Sequence, residues 1–103
     1  MFVREDLSPS QICVQSAHAC IEATHAFQLG HLPDHPHLVI LAAKNETKLH
    51  NVRKYLIEHG IRHVHFYESD IGDQLTALAT EPIPESSELR QLFRKYQLLK
   101  IKV

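Results

Sequence analysis

The sequence predicts an α/β fold, a three-layer α/β/α sandwich with a mixed four-stranded sheet and the element order β-α-β-α-β-β-α. Three observations predict it. "HLVILAA" (37–43) is a continuous apolar run of strand length, the pattern of a central strand covered on both faces. "IRHVHFY" (61–67) and "QLTALAT" (74–80) are strand-like runs joined by the short turn-like "ESDIGD", which makes them antiparallel neighbours. Helical segments precede and follow the apolar run, so each is a right-handed crossover between parallel strands.

The elements follow in order. "MFVR" (1–4) is a short strand. "SPSQ" (8–11) carries three helix-start signals: Ser8 as N-cap, Pro9 at the first helical position and Gln11 at the reciprocal capping-box site. This first helix is expected to run to about Gln28, before Gly30. Asn45 opens a second helix with Leu49, Val52, Leu56 and Ile57 inward, and Gly60 closes it. After the paired strands, Pro82 and Pro84 stop the sheet, "SSELRQLFRKY" (86–96) makes a third helix, and "LLKIKV" (98–103) either adds an edge strand or docks.

A chain of 103 residues is a single-domain length, with one domain expected over 1–103. No apolar run approaches the roughly 20 residues that span a bilayer, and no signal-peptide pattern opens the chain, so a soluble cytoplasmic protein without a membrane partner is expected. Eleven Lys and Arg against twelve Asp and Glu give a formal charge of −1, which excludes a broad basic field for nucleic acid. Any RNA contact is then local. Lys48, Arg53, Lys54, Arg90, Arg94 and Lys95 are the cations available for phosphates, a solvated helix face being the plainer reading of each. Nine histidines make the net charge climb as pH falls through about 6.5.

Cys13 and Cys20 lie seven apart on one helix, about 10 Å along its axis at ~1.5 Å per residue, too far for a disulfide. Two buried thiols are expected. "HLPDHPH" (31–37) and "HVH" (63–65) invite a metal, but the spacing matches no recognised zinc pattern, so neither metal nor cofactor is expected. There is no G-x-S-x-G elbow and no phosphate-cradling glycine loop.

The first helix poses the functional question. Steps of about 100° per residue put Gln11, Gln15, His18, Glu22 and His25 in one narrow stripe. Ile12, Cys13, Ser16, Ala17, Ala19, Cys20, Ala23 and Phe27 cover most of the remainder, which predicts a helix packed on more than one side. The stripe is either an ordinary solvated face or the lining of a groove, and Gln11 has its own local use in the capping box. In open α/β sheets ligands gather at the carboxyl ends of parallel strands. There Asp6, Gln11, Gln15, His18 and Asp70 converge, with Glu68 emerging on the same edge.

"VREDLSPSQICVQSAHACIEA" (3–23) followed by "SDIGDQLTALATEPIP" (69–84) resembles the type 2 peptidyl-tRNA hydrolases, in particular their short, divergent hydrolase-domain relatives. The resemblance implies a three-layer α/β/α domain with a mixed four-stranded sheet, and cleavage of the ester that joins a peptide to the 3′ adenosine of tRNA. It implies that Asp6, Gln15 and His18 occupy motif positions, that Asp70 occupies the acidic position after the third strand, and that these line a substrate groove. Two departures stand out. Gln11 replaces a family lysine, and the loop after Asp70 is several residues shorter than a family stretch containing an arginine and a threonine, for which Gln74 and Thr76 are the spatial substitutes.

As an enzyme, the expected chemistry is attack of water on the ester carbonyl. His18 or Asp70 handles the proton, Gln15 orients substrate or oxyanion, and Asp6, Gln11, Gln74 and Thr76 bind substrate. The alternative is a catalytically silent relative that binds tRNA, a peptide or a small ligand in the same groove. The partner expected under the first reading is the acceptor end of tRNA or peptidyl-tRNA, and a homodimer is the assembly it allows.

Overall fold

A computed structural model describes residues 1–27, 37–84 and 87–101. Its elements are β1 (Phe2–Arg4), α1 (Pro9–Phe27), β2 (Leu41–Ala43), α2 (Glu46–Glu58), β3 (His63–Glu68) and β4 (Gln74–Thr80), with 3₁₀ turns at Ser69–Ile71 and Glu88–Phe93. The strands form one sheet in the order β2-β1-β4-β3. β1 runs parallel to β2 and antiparallel to β4, and β4 is antiparallel to β3. The sheet is therefore mixed, as the short turn before β4 requires.

The helix ends form where the sequence places them. Gln11 Oε1 accepts from the Ser8 amide at 3.0 Å and Ser8 Oγ accepts from the Gln11 amide at 3.2 Å, a closed capping box. Asn45 Oδ1 accepts from the Lys48 amide at 2.9 Å to start α2. At the other end Gly60, with φ of +67°, lets its own amide reach Ile57 O and the Ile61 amide reach Leu56 O, the paired bonds of a Schellman motif.

Each sheet face has its own core. Val3, Ile12, Ala19, Ala23, Ala77 and Ala79 pack under α1, where four alanines let helix and sheet approach closely. On the opposite face Phe2, Leu49, Val52, Leu56, Leu75 and Leu78 pack under α2 and the C-terminal 3₁₀ turn, whose Phe93 and the following Tyr96 lie against Phe2. Among the described residues, no helix is long and apolar enough to cross a membrane.

Five expectations change. The run 37–43 gives a strand only over its last three residues, and β2 lies outside β1 rather than at the centre, because β4 inserts between β1 and β3. The third helix is 3₁₀, capped by Ser87, a geometry that suits the three-residue spacing of Leu89 and Leu92. Ile57 is 61% exposed and Ile61, past the helix end, takes its place in the core. Among the described residues α1 packs on one side only: Cys13, Val14 and Ala17 are exposed and Ile21 is 65% exposed. Accordingly Cys13 is exposed and Cys20 half-buried, both free thiols. The tail docks beside β2 through one antiparallel bridge, Leu41 to Leu98, with the Ala42 amide on Gln97 O and the Leu99 amide on Ile40 O.

Candidate functional site

Arg4, Ala43 and Glu68 end the three strands that run in one direction, and β4, running the other way, begins beside them at Gln74. α1 and α2 both start on this edge. The side chains gathered there form two clusters on either side of Leu75.

The first cluster hangs from Gln15. This residue lies about 40° round the helix from Gln11, toward the buried positions Ile12 and Ala19, and it is only 3% exposed. Thr76 Oγ1 donates to Gln15 Oε1 at 2.6 Å, which turns the amide nitrogen toward Glu68 Oε2, 2.7 Å away. Thr76 reaches inward because of a bulge: Phe66 pairs with Ala77 and Tyr67 with Leu75, leaving Thr76 as the extra residue of β4. Its hydroxyl also lies 3.2 Å from Phe66 O.

Glu68 holds the cluster together. Its Oε1 accepts from the Asp70 amide at 3.2 Å, capping the turn Ser69–Ile71. The Gln15 bond, then the Asp70 amide, and then the nearby His18 charge hold its carboxyl below the usual glutamate range. His18, exposed on α1, stacks on Phe66 with the rings 4.6 Å apart and 4° from parallel. Asp70 is exposed beyond the end of β3.

The second cluster centres on Arg4, which is 7% exposed. Its fork binds Asp6 through Nε and Nη2, both at 2.9 Å, while Nη1 donates to Gln74 Oε1 at 2.8 Å and to Leu75 O at 3.3 Å. The bond to Asp6 raises the guanidinium's pKa against the opposing effect of burial, and the same bond lowers that of Asp6. Glu46 accepts the Leu75 amide at 2.8 Å and approaches His50 at 3.7 Å.

Of the residues expected at the site, Gln15, Thr76 and His18 meet around Glu68 and Phe66, with the Asp70 backbone joined to them, and Asp6 and Gln74 meet on Arg4. Gln74 and Thr76 thus serve different clusters. Gln11 stays on Ser8. Sequence reasoning placed Glu68 on this edge without a role and gave Arg4 none. A charge ending a strand two residues before an acid was the signal for Arg4, and alternation with Phe66, which puts Glu68 on the α1 side, was the signal for Glu68.

A family model described as peptidyl-tRNA hydrolase PTH2 matches residues 1–99 of the 103. The chain belongs to that family. The PTH2 match covers every strand, both α-helices and both clusters, and so includes the residues that carry the resemblance. A comparison with curated proteins finds no match. In this PTH2 member Asp6, Gln15, His18 and Asp70 lie on one sheet edge, and the turn between β3 and β4 is Ser69–Ile71, Gly72 and Asp73, the last two with φ of +78° and +56°. Most of "HLPDHPH" lies outside the described residues. Among the described residues no group of three or more His, Cys, Asp or Glu is placed to hold a metal ion.

Proposed function

We propose that this PTH2 protein hydrolyses the ester between a peptide and the 3′ end of tRNA. The observation that carries the reading is the His18–Phe66 stack beside a Glu68 carboxylate fixed by Gln15 and Thr76, on the sheet edge where α/β proteins bind ligands. The exposed His18 imidazole takes a proton from the attacking water and returns it to the departing 3′ oxygen as the tetrahedral intermediate collapses. Asp70, exposed on the adjoining turn, orients that water or the terminal ribose. Gln15, too buried to meet substrate, positions Glu68, and Thr76 positions Gln15. Arg4 holds Asp6 and Gln74 so that their remaining polar edges meet the tRNA end.

A second reading is favoured by one observation: the amide of Gln11 is spent on its own helix start, and the Arg4 fork is taken up by Asp6 and Gln74. With the family lysine replaced, the same edge binds tRNA or a peptide without cleaving it. Release of peptide from an N-blocked aminoacyl-tRNA, measured for wild type and His18→Ala beside an active family member, separates the two. Activity lost in the variant supports hydrolysis, whereas no activity in a wild type that still binds tRNA supports the silent reading. We further infer that residues 1–103 act as one cytoplasmic domain, and that two copies pair through the exposed apolar side of α1 around Val14, Ala17 and Ile21.

A further inference from the structure

We propose that the groove between α2 and the C-terminal segment is a second, separate contact surface for RNA, taking the sugar–phosphate backbone while the sheet edge takes the 3′ end. The groove has a volume of about 660 Å³ and lies open along the helix. Its floor is Ala42 and Ala43 of β2, one wall is the α2 face that carries Lys48, Asn51 and Tyr55, and the other wall is Lys95, Tyr96 and Gln97. Lys44, Lys54, Glu5 and Glu58 also line it.

Four lysines against two glutamates leave this surface net positive by two on a chain whose formal charge is −1. The positive charge is therefore concentrated here. None of the four lysines is in a salt bridge among the described residues, where the ion pairs are Arg4–Asp6, His50–Glu46 and Arg62–Glu81. Lys95 is held in place without an acid: its Nζ sits 3.6 Å from the Tyr55 ring centroid and 5.2 Å from that of Tyr96. Tyr55 is fixed in turn by its hydroxyl bond to Leu92 O at 3.1 Å.

The chemistry favours a repeating anion over a single one. Lys48 and Lys54 are separated by about 9 Å along the helix at ~1.5 Å per residue and by about 120° around it, too far apart to share one small anion but placed to meet different phosphates of one strand. Ammonium groups contact phosphates as point charges without reading bases, which suits a backbone. The groove also joins the other site, because Glu5, bonded through its amide to Ala43 O, separates Arg4 from Asp6 in the chain. The inference rests on the hydrolase reading only for which RNA is bound.

Two measurements keep the readings apart. Binding of deacylated tRNA is followed by fluorescence anisotropy across a salt series for wild type, for the double variant Lys48→Glu with Lys54→Glu, and for a control of equal charge change outside the groove, Arg90→Glu with Arg94→Glu. Hydrolysis is followed on an N-blocked aminoacyl ester of the trinucleotide CCA, which has no stem to occupy the groove. The groove variant should bind tRNA at least tenfold more weakly near 0.1 M salt, with the slope of log affinity on log salt reduced by about two, and should cleave the trinucleotide ester as wild type does. Wild type failing to bind tRNA, equal weakening in the control, or unchanged binding in the groove variant overturns the proposal. Lysine-dependent tRNA binding without ester cleavage upholds the groove and removes the hydrolase reading.

Discussion

Thr76 Oγ1 donates to Gln15 Oε1 across 2.6 Å, joining the extra residue of a β-bulge to the second turn of a helix 61 residues away in the chain. The bond decides which end of the amide faces Glu68. A hydroxyl at position 76 is thus a condition for a fixed carboxylate at position 68.

Thr76→Val keeps the branched shape and removes the donor. Gln15 Oε1 is then buried without a partner, which costs about 1–3 kcal/mol. The expected result is a lower urea midpoint at unchanged m-value, with ester hydrolysis reduced through the loosened Glu68. A stability equal to wild type would mean that water or a rotated amide replaces the bond.

His18→Ala should cost at most about 1 kcal/mol, since the imidazole is exposed and contributes one stacking contact with Phe66. Hydrolysis should fall roughly 10²–10⁴-fold if the imidazole moves the proton. Asp70→Asn should likewise lower activity more than melting temperature, and His25→Ala, farther along the helix, should change neither. A His18→Ala protein that unfolds while its folded fraction retains activity would make this residue structural.

Arg4→Met leaves Gln74 Oε1 and Leu75 O without their donor and Asp6 without its counter-ion. Loss of one partner from a wholly buried pair costs about 3–5 kcal/mol, but the Asp6 side chain is 38% exposed and rehydrates, so about 2–3 kcal/mol is expected here. Thermal and urea melts measure it. Arg4→Lys should recover only part of the loss, because an ammonium cannot reproduce the two-bond fork on Asp6.

Gln11→Lys sets helix capping against substrate charge. It breaks the 3.0 Å bond to the Ser8 amide and puts a cation at the positive end of the α1 dipole, lowering stability by about 0.5–1.5 kcal/mol. It also adds a cation where the resemblance implies a lysine. Tighter, more salt-sensitive tRNA binding with a lower melting temperature is the expected pair of outcomes, read from melting curves and binding at two salt concentrations.

Stability should fall on the acid side in two stages. Partial desolvation of the otherwise exposed His65, then the charges of Arg53 and His63, lower its pKa, so the folded state disfavours its protonation. The stabilisation from keeping it neutral is complete above the ordinary histidine value of ~6.5 and is lost as pH falls through the depressed folded value. Asp6 and Glu68 are also depressed, so their contribution is complete above the ordinary carboxylate range near 4 and is lost as pH falls through their folded values. His65→Gln should abolish the first stage and leave the second, as pH-resolved denaturation would reveal.

The fold class, the element order and the mixed sheet could be read from the sequence, and so could the local helix signals. The Ser8–Gln11 box, the Asn45 cap and the Gly60 stop each depend on residues within a few positions, and each forms. Strand rank did not follow, because an apolar run reads alike whether its neighbours are strands or a docked tail, and what set β2 outermost was the distant β4. Within the candidate site, the carboxyl-edge rule brought the right segments together. It did not identify which acid meets Gln15: Glu68 still follows the alternation of β3, whereas Asp70 lies beyond it in a turn. The bulge at Thr76 had no glycine to announce it, so the divergence of Gln74 and Thr76 onto separate partners was invisible.

The place of β1 in the sheet has a consequence for how the chain folds. Phe2 and Val3 pair on one side with Leu41 and Ala42 and on the other with Leu78 and Ala77. β1 is thus fully enclosed only after some 75 further residues have been made, and until then its most buried side chains lack their covering. Closure over so long a loop is slow relative to helix formation, so α1 and α2 should be present before the sheet is complete. Hydrogen-exchange labelling during refolding should protect the amides of both helices ahead of those shared by β1 and β4.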